Sequence, residues 1–290
     1  MGIAMETSIV PSNWSRTDSE ALAEAVRKLE GTSFVVQLAN LVGTPVEKLL
    51  ERLPEQARDA VHKATQAALE KGFDVTMRTM GAEGDGESSD RIHQALATVS
   101  GAVGGFFGFA GLGVELPVST MIMLRSIADI ARSEGEDLSL PAARLSCLEV
   151  FALGGGSPKD DATDTSYYAV RAAMAVALRD AASFIAERGL AREGAPVIVR
   201  FISQIAARFG VVVSEKAAAQ AVPVVGAGAG SAINLMFTRH FQNVAHGHFT
   251  VRRLERKYGE AFVKEEYERL HPKSGQYTQS PFSPSRENGD

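Results

Sequence analysis

One charged residue stands where a charge is costly. Glu115 closes the uncharged run from Ala95 to Val114 and sits directly before Leu116 and Pro117, where a carboxylate needs a cationic or donor partner. Arg125, or the backbone at a helix start, would serve. Arg125, Asp129 and Arg132 recur at spacings of four and three, so they share one helix face, with Met123, Ile127 and Ile130 on the other. That is the pattern of a helix-surface ion pair. If Glu115, Arg125 and His240 converged on a nucleophile, the pocket would suit a hydrolase. Ser119 and Thr120, however, lack a nucleophile elbow and have no histidine beside them in sequence.

Further along, Asn234 and Thr238 fall on one face of an apolar helix that continues through Arg239 and His240, and they read as hydrogen-bonding groups between helices. His246 and His248 are two apart, which on a helix points the rings about 200° from each other, so they do not form a metal site with His240. No metal and no cofactor are expected. Arg252, Arg253, Arg256 and Lys257 follow as a basic group. They suit an anionic lipid surface, at about 1 kcal/mol per charge, or equally a solvated helix in which Glu255 and Glu260 dilute the field.

Two glycine-rich apolar segments frame these residues. In the first, Gly101, Gly104, Gly105 and Gly108 recur at three and four residues and form one side of a helix that another backbone can approach closely. The uncharged run of twenty residues, Ala95 to Val114, would make about 30 Å of helix, long enough to cross a bilayer. Gly111, Gly113 and Pro117 are expected to break the helix where a span should continue, which favours a buried or shallow hairpin. The second segment carries Gly226, Gly228 and Gly230. It resembles a dinucleotide loop, but Ser231 stands where that fingerprint needs Gly or Ala, and the preceding SEKAAAQA favours helix over strand.

The elements that position these groups read as helices. Thr17 and Glu20 form a capping box for the first, Thr44 and Pro45 announce another, and Pro54 and Gly72 bound a third. Helical patterns follow from Pro117 to Ser133, from Leu140 to Leu153, over TSYYAVRAAMAVALRDAASFIAERG, and over PVIVRFISQIAARFG. VIV and VVVS are too short to build a sheet. Polar loops lie at Gly81 to Asp90 and Gly154 to Asp164. The fold class is all-α: one helical domain over 17–270, a flexible stretch over 1–16, and a Pro/Ser/Gly-rich disordered tail over 271–290.

A net charge of −5 over 290 residues argues against nucleic acid as a partner. One cysteine, Cys147, fits a reducing compartment, and the first residues show neither a secretory signal nor, with Glu6 in place of Ser or Thr, a myristoylation site.

The order GGFFGFAGLGVELPVSTMIMLRSIADIARSEGEDL, then RLSCLEVFALGG, then FGVVVSEKAAAQAVPVVGAGAGSAINLMFTRHF, resembles the EcsC family over about Glu20 to Tyr267. Its most specific parts are ELP-x-S-T with the following arginine and the VPVVG-to-N run; the GGGSPKDD insertion departs from the pattern only in loop length. The resemblance implies an α-helical, membrane-associated protein; with the single cysteine and the basic group, the expectation is a cytoplasmic protein, peripheral to the inner face of the membrane, that acts through anionic lipid or through a membrane protein such as a transporter. It carries over no catalytic residue, so an interaction module is expected ahead of an enzyme.

Overall fold

The structure, a computed structural model, describes residues 11–31, 33–51, 53–79, 109–155, 167–189, 195–221 and 227–271, without the side chains of 46, 47, 49, 79, 109–114 and 227–229. Among the described residues the regular structure is entirely helical: α1 (Arg16–Leu29), α2 (Phe34–Val42), α3 (Val46–Glu51), α4 (Glu55–Thr79), α5 (Phe109–Ser133), α6 (Pro141–Leu153), α7 (Tyr167–Arg188), α8 (Pro196–Gln220), α9 (Ala227–Tyr258) and α10 (Glu260–Leu270). The all-α expectation holds. The loop at 81–90, Gly101, Gly104, Gly105, Gly108, Gly226, and the tail beyond His271 lie outside the described residues.

Start signals are obeyed more faithfully than stop signals. Pro141 and Pro196 each open a helix, where the missing N–H has no intrahelical partner to lose. The cap of α1 is Ser15, two residues before the expected Thr17: its Oγ accepts from the Asp18 backbone N–H at 3.1 Å and donates to Asp18 Oδ2 at 2.8 Å.

Gly72 does not end α4. It lies inside the helix because a Cβ there would come within 2.7 Å of Leu124 Cδ1, so its small size serves the close contact between α4 and α5. Nor do Gly111, Gly113 and Pro117 break α5, which runs through all three. Proline in a helix interior costs about 3 kcal/mol. Burial of Leu116, Ser119, Thr120, Met123 and Leu124 on either side of it offsets that cost. The VIV and VVVS stretches are both helical, and α8 joins the PVIVRFISQIAARFG segment to the alanine-rich one without a break at Gly210.

The long α9 is the axis of the molecule, packing on α1, α2, α5, α6, α8 and α10. Its Phe237 and Phe241 meet Phe151 of α6 and Phe209 of α8, with ring centroids 4.6 to 6.0 Å apart, at the centre of the main core. A smaller cluster gathers Leu22, Tyr167, Tyr168, Leu254, Phe262 and Tyr267 where α10 folds back over the end of α9. Gly259, at φ +90, makes that reversal in a conformation that side chains with a Cβ rarely adopt.

Candidate functional site

Glu115 finds its partner in Lys216. Lys216 Nζ donates to Glu115 Oε1 at 2.7 Å and to Asn234 Oδ1 at 2.7 Å, and it stands 4.5 Å from the centroid of the Phe237 ring. The three polar residues come from α5, α8 and α9, and all are buried, with Lys216 and Asn234 at 0% exposure. Two oxygens and a ring face take up the three directions in which an ammonium can donate. Desolvation pulls the Lys216 pKa down, and the Glu115 charge and hydrogen bond pull it back up.

The expected Arg125 pairing is therefore corrected. Arg125 lies ten residues further along α5, about 15 Å up the helix axis, and is exposed. A buried carboxylate is satisfied by a cation delivered from another helix, not by one on its own helix that points to solvent. Asp129 pairs instead with Arg132 at 3.0 Å, as a helix-surface pair.

His240 sits apart from both. Its Nε2 lies 2.8 Å from the Gly154 carbonyl oxygen and its ring packs on Phe34 and Phe241, with desolvation holding its pKa below the usual histidine value. Glu115, Arg125 and His240 do not converge, and Ser119 Oγ donates to the Leu116 carbonyl of its own helix at 3.1 Å. Among the described residues these side chains are therefore not gathered around a nucleophile. Thr120 is fully buried and its Oγ1 has no hydrogen-bond partner among the described residues, while Arg239 is exposed. Thr238 donates to the Asn234 carbonyl of its own helix at 3.0 Å, and among the described residues it bonds no neighbouring helix. Gly228 lies in the first turn of α9 and Gly230 is buried there. Among the described residues no group of three or more His, Cys, Asp or Glu could hold a metal ion.

The basic group is paired inside the chain. Arg252 grips Glu136 with two bonds of 2.8 and 3.0 Å, and Arg256 bonds the same carboxylate. Arg253 Nε donates to Glu134 Oε2 at 2.6 Å and its Nη1 to Asp18 Oδ1 at 3.3 Å; Lys257 Nζ donates to Asp18 Oδ2 at 2.8 Å. Burial alone would raise the Glu136 pKa, but Arg252 and Arg256 outweigh it and leave it lowered. Hydrogen bonds from Lys257 and Tyr258 hold the Asp18 carboxyl well below the usual carboxylate range. Glu255, expected to dilute this group, faces the other way and holds Arg171 at 2.7 and 3.0 Å.

A family model described as the EcsC protein family matches residues 17–254. The chain belongs to the EcsC family. No curated protein and no solved structure matches it. The EcsC match contains Glu115, Lys216 and Asn234, and it stops at Leu254, before Arg256, Lys257 and all of α10.

Proposed function

We propose that this EcsC-family chain is a helical module that attaches to the inner surface of a membrane through an apolar contact. The observation that carries the reading is the outward face of α8. Its most apolar 18-residue window has a mean hydropathy of 1.6, and only 44% of that window is buried. At four-residue spacing Val199, Ser203, Ala207 and Val211 are exposed and uncharged. The neighbouring α7 adds exposed Ala172, Ala173, Ala175 and Val176, and α2, a helix without a charged residue, adds Val36 and Leu41. Exposed apolar surface of this kind marks an interaction site, and a lipid surface is a partner that needs no matching charges.

The paired state of Arg252, Arg253, Arg256 and Lys257 supports an apolar contact over an electrostatic one. The fully buried Lys216, its charge committed to Glu115 and Asn234 within the core, supports a surface contact of α8 over a span.

Flotation with neutral and with anionic vesicles, at low and high salt, tests the proposal. Binding to both lipid types that persists in high salt is expected. Binding to anionic vesicles alone, released by salt, would return the contact to the basic group, and no binding to either would overturn the membrane reading.

A further inference from the structure

A second polar line runs from the surface into the core. Arg171 of α7 holds Glu255 with two bonds, and its Nη1 also lies 3.2 Å from Tyr167 Oη. Tyr167 Oη lies 2.9 Å from His248 Nδ1 on α9, and His248 Nε2 lies 3.8 Å from Glu149 Oε2 on α6. Because Arg171 donates to the phenol oxygen, the phenol hydrogen is free to go to Nδ1, which puts the ring proton on Nε2, facing Glu149. At 3.8 Å the last contact is too long for a hydrogen bond. Among the described residues His248 is fully buried with Nε2 unbonded, and the carboxylate of Glu149, 3% exposed, approaches it no nearer than 3.8 Å. One helical turn before Glu149, the buried Ser146 Oγ also has no partner among the described residues.

We propose that the Glu149–His248 contact is a proton-operated latch between α6 and α9. It stands open while Glu149 carries its proton, and it closes to an Nε2–H···Oε2 hydrogen bond when that proton leaves. The proton goes to solvent, and the ring neither gains nor loses one.

The surroundings set where this happens. Burial raises the Glu149 pKa to about 7, against the pull of Arg171 from α7 and Arg252 from α9 and with a further push from Glu255 of α9. Burial, with Arg252 and Arg171, lowers that of His248 well below its usual value, so the ring stays neutral across the same range. Tyr167 is pushed well above the usual phenol range and keeps its hydrogen. Of the other helices packed on α6, α4 and α5 meet it at Gly72, Leu124 and Leu148 and α8 at Phe209, with Arg208 held on the Ala152 carbonyl at 2.9 Å; the charges of Arg132 on α5 and of Glu136 also act on this helix, at Cys147.

Heteronuclear NMR of the full chain between about pH 5 and 8 tests the latch, with the His248 ring signals assigned by their loss in His248→Gln. The ring nitrogens are expected to shift with an inflection near 7, although the ring itself does not titrate, and the inflection should vanish in Glu149→Gln. An inflection that survives in Glu149→Gln, or its absence in the parent, would overturn the proposal. Should Glu149→Gln fail to fold, the Glu149 side-chain carboxyl carbon in the parent decides: titration near 7 together with the ring signals upholds the latch, and titration in the ordinary carboxylate range, or none, overturns it.

Discussion

Lys216 Nζ and Glu115 Oε1, 101 residues apart in sequence, lie 2.7 Å from each other in the core of the fold. Three helices meet at this pair, each close to one of the glycine-rich segments: residues 101–108 lead into α5, and residues 222–226 join α8 to α9. Two buried charges carry a large desolvation cost, repaid only while both are present. Glu115→Ala or Lys216→Met alone should therefore destabilise the fold by about 3 to 5 kcal/mol, and Glu115→Gln by less, since it keeps a hydrogen bond to Nζ. The double variant Glu115→Leu/Lys216→Met should recover most of the loss. Urea melts of the parent and the four variants check this; a double variant no more stable than either charge-removing single variant would mean the pair is not the unit.

Gly247→Ala should destabilise despite a gain of about 1 kcal/mol in helix propensity. A Cβ at Gly247 would lie 2.6 Å from Leu29 Cγ and 3.1 Å from the Ala25 carbonyl oxygen, driving α1 away from α9. Overpacking of this kind costs about 1 to 3 kcal/mol. Leu29→Ala in the same chain removes the nearer clash and should restore part of the loss in a thermal melt. A single variant as stable as the parent would show that α1 shifts without cost.

Asp18 supplies a pH dependence with a definite sign. Its folded pKa is depressed, first by the Lys257 hydrogen bond and then by that of Tyr258, so its contribution is present above the unfolded value of 3.8 and is lost as pH falls below it. Asp18→Asn should thus lower the melting temperature at neutral pH, and its gap to the parent should close on acidification below 3.8. A gap that stays constant down to low pH would place the effect in packing, with no part for the ionised carboxylate.

Much of this architecture was legible in the sequence, because prolines and capping residues act locally. Pro141, Pro196 and the Thr44–Pro45 pair mark helix starts from their own backbone chemistry. Gly72 and Pro117 misled as breakers because their setting is tertiary: the first is a close approach to Leu124, the second a helix held by burial on both sides. Glu115 stood out as a charge in an apolar run. Lys216 did not, since it sits in SEKAAAQA, where a lysine looks like an ordinary solvated helix residue. Glu149 carried the same signal as Glu115, one charge within CLEVFAL, yet it was not among the candidate residues read from the sequence. The partners of the basic group, Asp18, Glu134 and Glu136, lie 116 to 239 residues away in sequence, so no local charge pattern reveals them.

Flotation of the parent beside Val199→Asp/Val211→Asp on neutral vesicles is the most direct measurement of the membrane contact. Both positions are exposed on α8, so the variant should melt close to the parent, while two carboxylates brought against the acyl boundary oppose binding. The parent is expected to float with neutral vesicles in high salt, and the variant to bind at least about tenfold more weakly, a difference of about 1.4 kcal/mol. Equal flotation of the two proteins would contradict the account and remove α8 as the contact.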